Sequence, residues 1–118
     1  MPLAGIDMFM KMQPILEKEG KGVVAKVGAV YHFELKENKN AKPEIVTVDL
    51  KNGNGKITLG KEGAADATFT MVDSDFMALV GGKLKPQQAF MQGKMKIKGN
   101  MAKAMKFNPS VLPQGAKL

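Results

Sequence analysis

The chain has 118 residues, 44% hydrophobic and 25% charged, with no cysteine, no tryptophan and a net charge of +7 carried by eighteen lysines and no arginine. That is enough chain for one core, and it excludes disulfides, thiolate metal sites and cysteine nucleophiles. Arginine is the residue suited to bidentate reading of phosphates and base edges, so no nucleic acid is expected as a partner.

The opening, MPLAGIDMFMKMQP, has no basic segment ahead of an apolar run, and no secretory leader is expected. No stretch reaches the ~20 apolar residues of a membrane span. Met8, Phe9, Met12, Ile15 and Leu16 make one stripe, which predicts an amphipathic helix from Ile6 to Glu19. Pro14 lies beyond the first turn, where it removes a hydrogen bond to Met10 and is expected to kink or split that helix. Gly20 is expected to end it. Val23, Val24 and Val27 suggest a short second helix closing at Gly28.

Strands follow. From Ala29 to Lys36, Ala29, Tyr31, Phe33 and Leu35 share one face and His32 and Glu34 the other. From Glu44 to Lys51, Val46, Val48 and Leu50 oppose Thr47 and Asp49. Asn52-Gly53-Asn54-Gly55 accepts the positive φ of a tight hairpin and leads into Lys56 to Leu59. A fourth strand, Asp66 to Val72, sets Phe69 and Met71 against Thr68 and Thr70. Asp73 is placed to cap a helix with Phe76, Leu79 and Val80 on one face, stopped at Gly81-Gly82. Pro86 opens another helix, anchored by Phe90 and Met91 and closed by Gly93. Lys94 to Lys98 alternates strictly, a fifth strand with Met95 and Ile97 inward and three lysines outward. Asn100 can cap a last helix with Met101, Ala104 and Met105 inward and Lys103 and Lys106 outward.

Strands with one apolar and one polar face describe a sheet covered on one side and solvated on the other. Helices supply the cover, giving a two-layer α+β fold. One domain is expected over 1–118. Its tail, 108–118, is broken by Pro109 and Pro113 and therefore extended.

Little in the chain can do covalent chemistry. Its one histidine, His32, falls on the expected solvated face, Ser74 sits at a helix start, and Ser110 lies in the tail, so no Ser-His-Asp arrangement is expected. Asp73 and Asp75 suit capping and the helix dipole. Gly55 to Lys61 follows a phosphate-loop pattern but fails at Glu62, where a magnesium-holding hydroxyl belongs. Gly20 to Ala25 resembles a dinucleotide fingerprint but follows a helix, so both are read as coincidence. No catalytic residue, metal or cofactor is expected, and the protein is not expected to be an enzyme. Nine methionines beyond the first, most on expected inward faces, suit either ordinary core filling or a deformable lining for an apolar partner, and composition does not distinguish the two.

The stretch DSDFMALVGGKLKPQQAFMQGKMKIKGNMAKAMKF, residues 73–107, resembles the core signature of the sterol carrier protein 2 family, the non-specific lipid-transfer proteins. The likeness lies in order and spacing: an aspartate-headed helix, a Gly-Lys turn, Pro-Gln before an aromatic, a lysine-alternating strand and Gly-Asn. It extends from about Met8 to Leu118, through KGVVAKVGAVYHFELK, VTVDLKNGNGKI and GAADATFTMVDSDF. The resemblance implies a five-stranded, largely antiparallel sheet under helices, with an apolar tunnel between them. It implies a lining that includes Phe33, Val48, Leu50, Phe69, Met71, Phe76, Met95 and Met105. The ligand would be a fatty acid, fatty acyl-CoA, sterol or phospholipid, carried between membranes or to lipid-metabolising enzymes. Two alternatives stand beside this: an accessory domain of a peroxisomal oxidation enzyme, and a basic membrane-surface module without a cavity. The lysines suit a transient meeting with anionic membranes. Val111 and Leu112 are candidates for a lid over the cavity mouth. Ala116-Lys117-Leu118 resembles the C-terminal peroxisomal signal read by an import receptor, so a peroxisomal location with a cytoplasmic share is expected.

Overall fold

The computed structural model describes residues 4–107. The expectations placed on the lid pair Val111 and Leu112 and on Ala116-Lys117-Leu118 lie outside the described residues. The elements run α1 (Ala4–Val27), β1 (Ala29–Lys36), β2 (Glu44–Leu50), β3 (Lys56–Leu59), β4 (Ala67–Val72), α2 (Asp73–Val80), α3 (Pro86–Met91), β5 (Met95–Gly99) and α4 (Met101–Ala104).

The two helices expected before β1 are one, α1, which runs through Pro14, Gly20 and Gly22. Packing and cross-links on both sides of Pro14 hold the helix across the missing N–H. Met12 and Leu16 are fully buried. The Ile57 N–H donates to Gln13 Oε1 (2.7 Å), and Asn54 Nδ2 donates to the Glu17 carbonyl (3.1 Å). Tertiary packing of an apolar face supplies most helix stability in proteins, so one lost bond does not end α1. Gly20 is a contact point and not a stop: a Cβ there would collide with the Asn54 carbonyl oxygen. The helix ends at Gly28, whose φ of +61° glycine accepts without strain.

The sheet has the order β3-β2-β1-β4-β5. Three pairings are antiparallel, and β1 pairs with β4 in parallel, so the sheet is mixed but mostly antiparallel. A parallel pair cannot be joined by a tight hairpin. Since β3 lies at one edge and β4 on the far side of β1, the connecting segment must cross β2 and β1. Its hydrogen bonds trace that path over the face away from α1. Thr47 Oγ1 donates to the Gly60 carbonyl (2.8 Å), the Glu62 N–H donates to Thr47 Oγ1 (3.0 Å), and His32 Nε2 lies 3.4 Å from the Glu62 carbonyl. This crossing corrects the reading of His32 and Thr47 as solvated: His32 is 3% exposed and Thr47 is buried beside it. Asp66 then joins three strands. Its N–H donates to the Val30 carbonyl, its carboxylate accepts from the Val30 N–H (2.8 Å), and its carbonyl accepts from the Asn100 N–H (2.8 Å).

Asp73 does not cap its own helix, whose N-cap is Val72 with no side-chain bond. Its Oδ1 accepts from the Gly5 N–H instead (2.7 Å), satisfying one of the unpaired donors at the start of α1. A Cβ added at Gly5 would stand 2.6 Å from that oxygen and 2.8 Å from Phe76, so these side chains would have to shift to admit one.

Candidate functional site

The inner face of the sheet is covered unequally. α1 lies over β2 and β3, whereas α2 and α4 cover β4, and α3 and α4 cover β5. Under α1 the packing is complete: Met12, Leu16, Val46, Val48 and Leu50 are fully buried. On the β1-β4-β5 side the covering helices are short, and a cavity of about 530 Å³ remains. That is within the ~300–1,000 Å³ usual for small-molecule sites. Its floor is Phe33 of β1, Phe69 and Met71 of β4, and Met95 and Ile97 of β5. Leu79 and Val80 of α2 form one wall. Ala104, Met105 and Phe107 form the other, and the segment Gly82 to Gln87 closes the rim.

Phe33 is the centre of this arrangement. Its ring centroid stands 5.0 Å from Phe9, Phe69 and Phe107, and 5.7 Å from Phe76. Phe69 is stacked on it at 16°. Offset and edge-on aromatic contacts of this kind add roughly 0.5–1.5 kcal/mol per pair beyond area burial. Register produces the stack, because Phe33 sits directly opposite Phe69 across the parallel pair.

Of the eight residues expected as lining, Phe33, Phe69, Met71, Met95 and Met105 border the cavity. Val48, Leu50 and Phe76 do not. The two β2 residues lie in the core that α1 fills, and Phe76 is turned into the aromatic cluster, 5.2 Å from Phe9. Alternation identifies the inward face but cannot say which part of it a helix fills. Sequence reading missed Leu84, Ile97, Ala104 and Phe107 as lining. Leu84 carried one usable signal, a lone apolar residue between Lys83 and Lys85. Leu79 and Val80 were placed on the inward stripe of α2 without being given a role.

The last helix is fixed by three bonds. Asn100 Oδ1 accepts from the Lys103 N–H (3.0 Å), as expected of a cap. Tyr31 Oη donates to the Lys103 carbonyl (2.6 Å), and Lys103 Nζ donates to the Gly28 carbonyl (3.1 Å). Lys103, expected to point outward, is therefore half-buried and ties α4 to the start of β1. Burial, with the Asp66 charge adding to it, pushes the Tyr31 phenol up to about 12. This bracing holds Met105 and Phe107 against the cavity.

Three methionines and an aromatic expected inward are exposed. Phe90 and Met91, the expected anchors of α3, are 48% and 84% exposed, and Ala89 is the residue α3 buries. Met101 and Met105 are 44% and 54% exposed, Met105 at the cavity rim, and Met10 is exposed on α1. Lys85 and Gln87 are the polar side chains of the lining, both at the rim. The lining offers no nucleophile and no acid–base pair. Among the described residues no group of three histidine or carboxylate side chains could hold a metal, and no helix is long and apolar enough to cross a membrane.

The model of the SCP-2 sterol transfer family matches residues 9–111. The chain belongs to that family. Sterol carrier protein 2 of Homo sapiens is 45% identical over 112 residues, covering 94% of this chain but 20% of the human protein. The chain thus spans about a fifth of the length of the vertebrate relatives it matches. Sterol carrier protein 2 of Arabidopsis thaliana is 40% identical, with 91% of its own length covered. Peroxisomal multifunctional enzyme A of Dictyostelium discoideum is 37% identical, with 24% of its length covered. Among solved structures, apo sterol carrier protein 2 of Yarrowia lipolytica superposes with a TM-score of 0.72 at 36% identity, covering 84% of this chain and 89% of that one. The palmitate complex of sterol carrier protein-2 from Aedes aegypti gives 0.58 at 25% identity, covering 79% and 94%.

Proposed function

We propose that this chain is a single lipid-binding module, residues 1–118, that carries a fatty acid, fatty acyl-CoA, sterol or phospholipid between membranes or to lipid-metabolising enzymes, making and breaking no bond. The observation that carries the reading is the cavity of about 530 Å³ whose floor and walls are apolar and whose polar side chains, Lys85 and Gln87, stand at the rim. An acyl chain gains about 0.8 kcal/mol per CH₂ removed from water. Ten carbons therefore supply roughly 8 kcal/mol before ordering costs, the scale of micromolar binding. The rim suits the part of the ligand that stays hydrated. The palmitate complex of the mosquito relative supports the same assignment. Phe33, Phe69, Met71, Met95 and Met105 are the proposed contacts, and Val111 and Leu112 the proposed lid.

Native mass spectrometry of protein purified from cells tests this, with co-purifying lipid the expected result. Met71→Lys should abolish binding of a fluorescent fatty acid while keeping a cooperative thermal transition. Unchanged affinity in that folded variant would refute the cavity as the site.

The human and Dictyostelium proteins, several times longer than this chain, favour a second reading: the same module presenting lipid to an oxidation enzyme to which it is fused. The sequence of the parent transcript distinguishes the two. Ala116-Lys117-Leu118 is the proposed peroxisomal address. Deleting it from a fluorescent fusion should disperse a punctate signal into the cytoplasm, and persistent puncta would refute the assignment.

A further inference from the structure

Hydroperoxides oxidise cysteine and methionine side chains most readily. This chain has no cysteine and ten methionines, so such a reaction falls on thioethers. Exposure then decides which of them react. Met8, Met12, Met71 and Met95 are buried, whereas Met10, Met91, Met101 and Met105 are exposed, Met91 most of all. The cavity divides the exposed four. Met105 borders it together with the buried Met71 and Met95, and Met10, Met91 and Met101 do not. Among the described residues Met105 is therefore the one methionine that is both open to solvent and part of the lining.

The fold fixes that position. Met105 follows the last residue of α4 and closes the helix, its N–H donating to the Met101 carbonyl (2.9 Å). α4 is in turn held by the Asn100, Tyr31 and Lys103 bonds described above. Ala104 and Phe107, its neighbours in the lining, are buried. A polar group formed on the Met105 side chain thus has water on one side and apolar surface on the other.

We propose that Met105 is a redox-sensitive site in the cavity wall, where a hydroperoxide converts the thioether to the sulfoxide and thereby weakens lipid binding. The inference rests on the carrier reading above and adds a means of regulating the same cavity. One oxygen atom passes to sulfur. The peroxide O–O bond breaks, an S–O bond forms, sulfur is oxidised by two electrons, and the peroxide leaves as water or, from an alkyl hydroperoxide, as the alcohol. The product is a polar side chain in place of an apolar one. An acyl chain entering the cavity covers the new oxygen with CH₂ groups that cannot donate to it, and burying a polar group without a partner opposes binding. In the empty cavity the sulfoxide stays hydrated, so oxidation disfavours the loaded state and not the fold. The same contact acts in reverse: bound lipid covers Met105 and shields it, so the empty carrier is the form that is oxidised. Methionine sulfoxide reductases restore the thioether while a dithiol is oxidised to the disulfide and the oxygen leaves as water.

Met91 supplies the control within the same molecule, being more exposed than Met105 and off the cavity. The full-length protein is treated with hydrogen peroxide, with and without saturating palmitate, and sulfoxide at each methionine is read by peptide mass spectrometry. Palmitate should slow oxidation several-fold at Met105 and leave Met91 unchanged. Protein oxidised without palmitate should bind a fluorescent fatty acid about tenfold more weakly, the scale of burying one unpaired polar group. It should keep its cooperative thermal transition and regain affinity on treatment with reductases for both sulfoxide epimers and dithiothreitol. Met105→Leu, compared with itself before and after peroxide, should lose no affinity, whereas Met91→Leu should lose as much as the parent. Met105→Gln, which carries a polar side chain from the start, should bind weakly without peroxide. Undiminished affinity in protein bearing sulfoxide at Met105, an equal loss in Met105→Leu, or oxidation of Met105 at the same rate with palmitate bound would each overturn the proposal. Failure of the untreated protein to bind fatty acid is a separate result, which would overturn the carrier reading and this inference with it.

Discussion

At Gly20 two effects of opposite sign compete. Alanine raises helix propensity over glycine by about 1 kcal/mol, and Gly20 sits inside a 24-residue helix. Yet a Cβ at that position would run into the Asn54 carbonyl, a backbone atom that cannot swing aside. The clash should win: overpacking costs about 1–3 kcal/mol. Gly20→Ala is therefore expected to lower Tm, and Gly22→Ala, which meets nothing within 4 Å, to leave it unchanged or raise it. Tyr31 can be followed alone, because it is the only tyrosine. Phenolate absorbance should titrate near 12 in the folded protein against 10.0 for the free group. The fold thus favours the protonated phenol, a contribution fully present below pH 10 and lost as pH rises through about 12. Titration near 10 in a folded sample would mean that Tyr31 is not buried against α4. Lys85 is the charged side chain of the cavity lining. An exposed ion pair contributes about 0.2–1 kcal/mol, so Lys85→Gln should weaken fatty-acid binding by no more than about fivefold and leave sterol affinity unchanged.

Among the elements, the strands were legible because each alternates over four or more residues, and the structure reproduces their bounds to within a residue. The helices were less so. Gly20 and Pro14 carry local signals for a break, and α1 continues through long-range contacts, the burial of Met12 and Leu16 and the Gln13–Ile57 and Glu17–Asn54 bonds, 44 and 37 residues apart in sequence. Asp73 likewise has the chemistry of a cap, but its partner lies 68 residues away at Gly5. The parallel β1–β4 pairing has no local signature, so burial of His32 beneath the crossing segment could not be read from alternation. For α3 the error has a different source: two large apolar residues predict burial, and nothing local distinguishes a core anchor from an exposed rim. One element carries a pH dependence. Burial raises the Asp49 carboxyl, but the Asn52 amide, the Lys51 and Asn52 N–H groups and the Lys51 charge outweigh it and hold the group below its ordinary 3.8. These bonds shape the turn after β2, with the Lys51 N–H at 2.9 Å and Asn52 Nδ2 at 3.0 Å. Their contribution is present above pH 3.8 and fades as pH falls through the depressed folded value. Asp49→Ala should melt below the parent at pH 7, and the gap should close on acidification. A constant gap would place the effect elsewhere.

For the whole molecule, function follows from an asymmetry of cover. A long helix fills one half of the inner sheet face, and short helices leave the other half with a cavity. Met71, Met95 and Met105 border that cavity, whereas Met8 and Met12 are buried on α1 and are not part of its lining. With methyl-labelled methionine and ¹³C-labelled palmitate, isotope-filtered NMR can distinguish the two groups directly. The acyl chain should show contacts to Met71, Met95 and Met105 and none to Met8 or Met12. Contacts to Met8 or Met12, or saturating palmitate with no contact to the cavity methionines, would contradict the account.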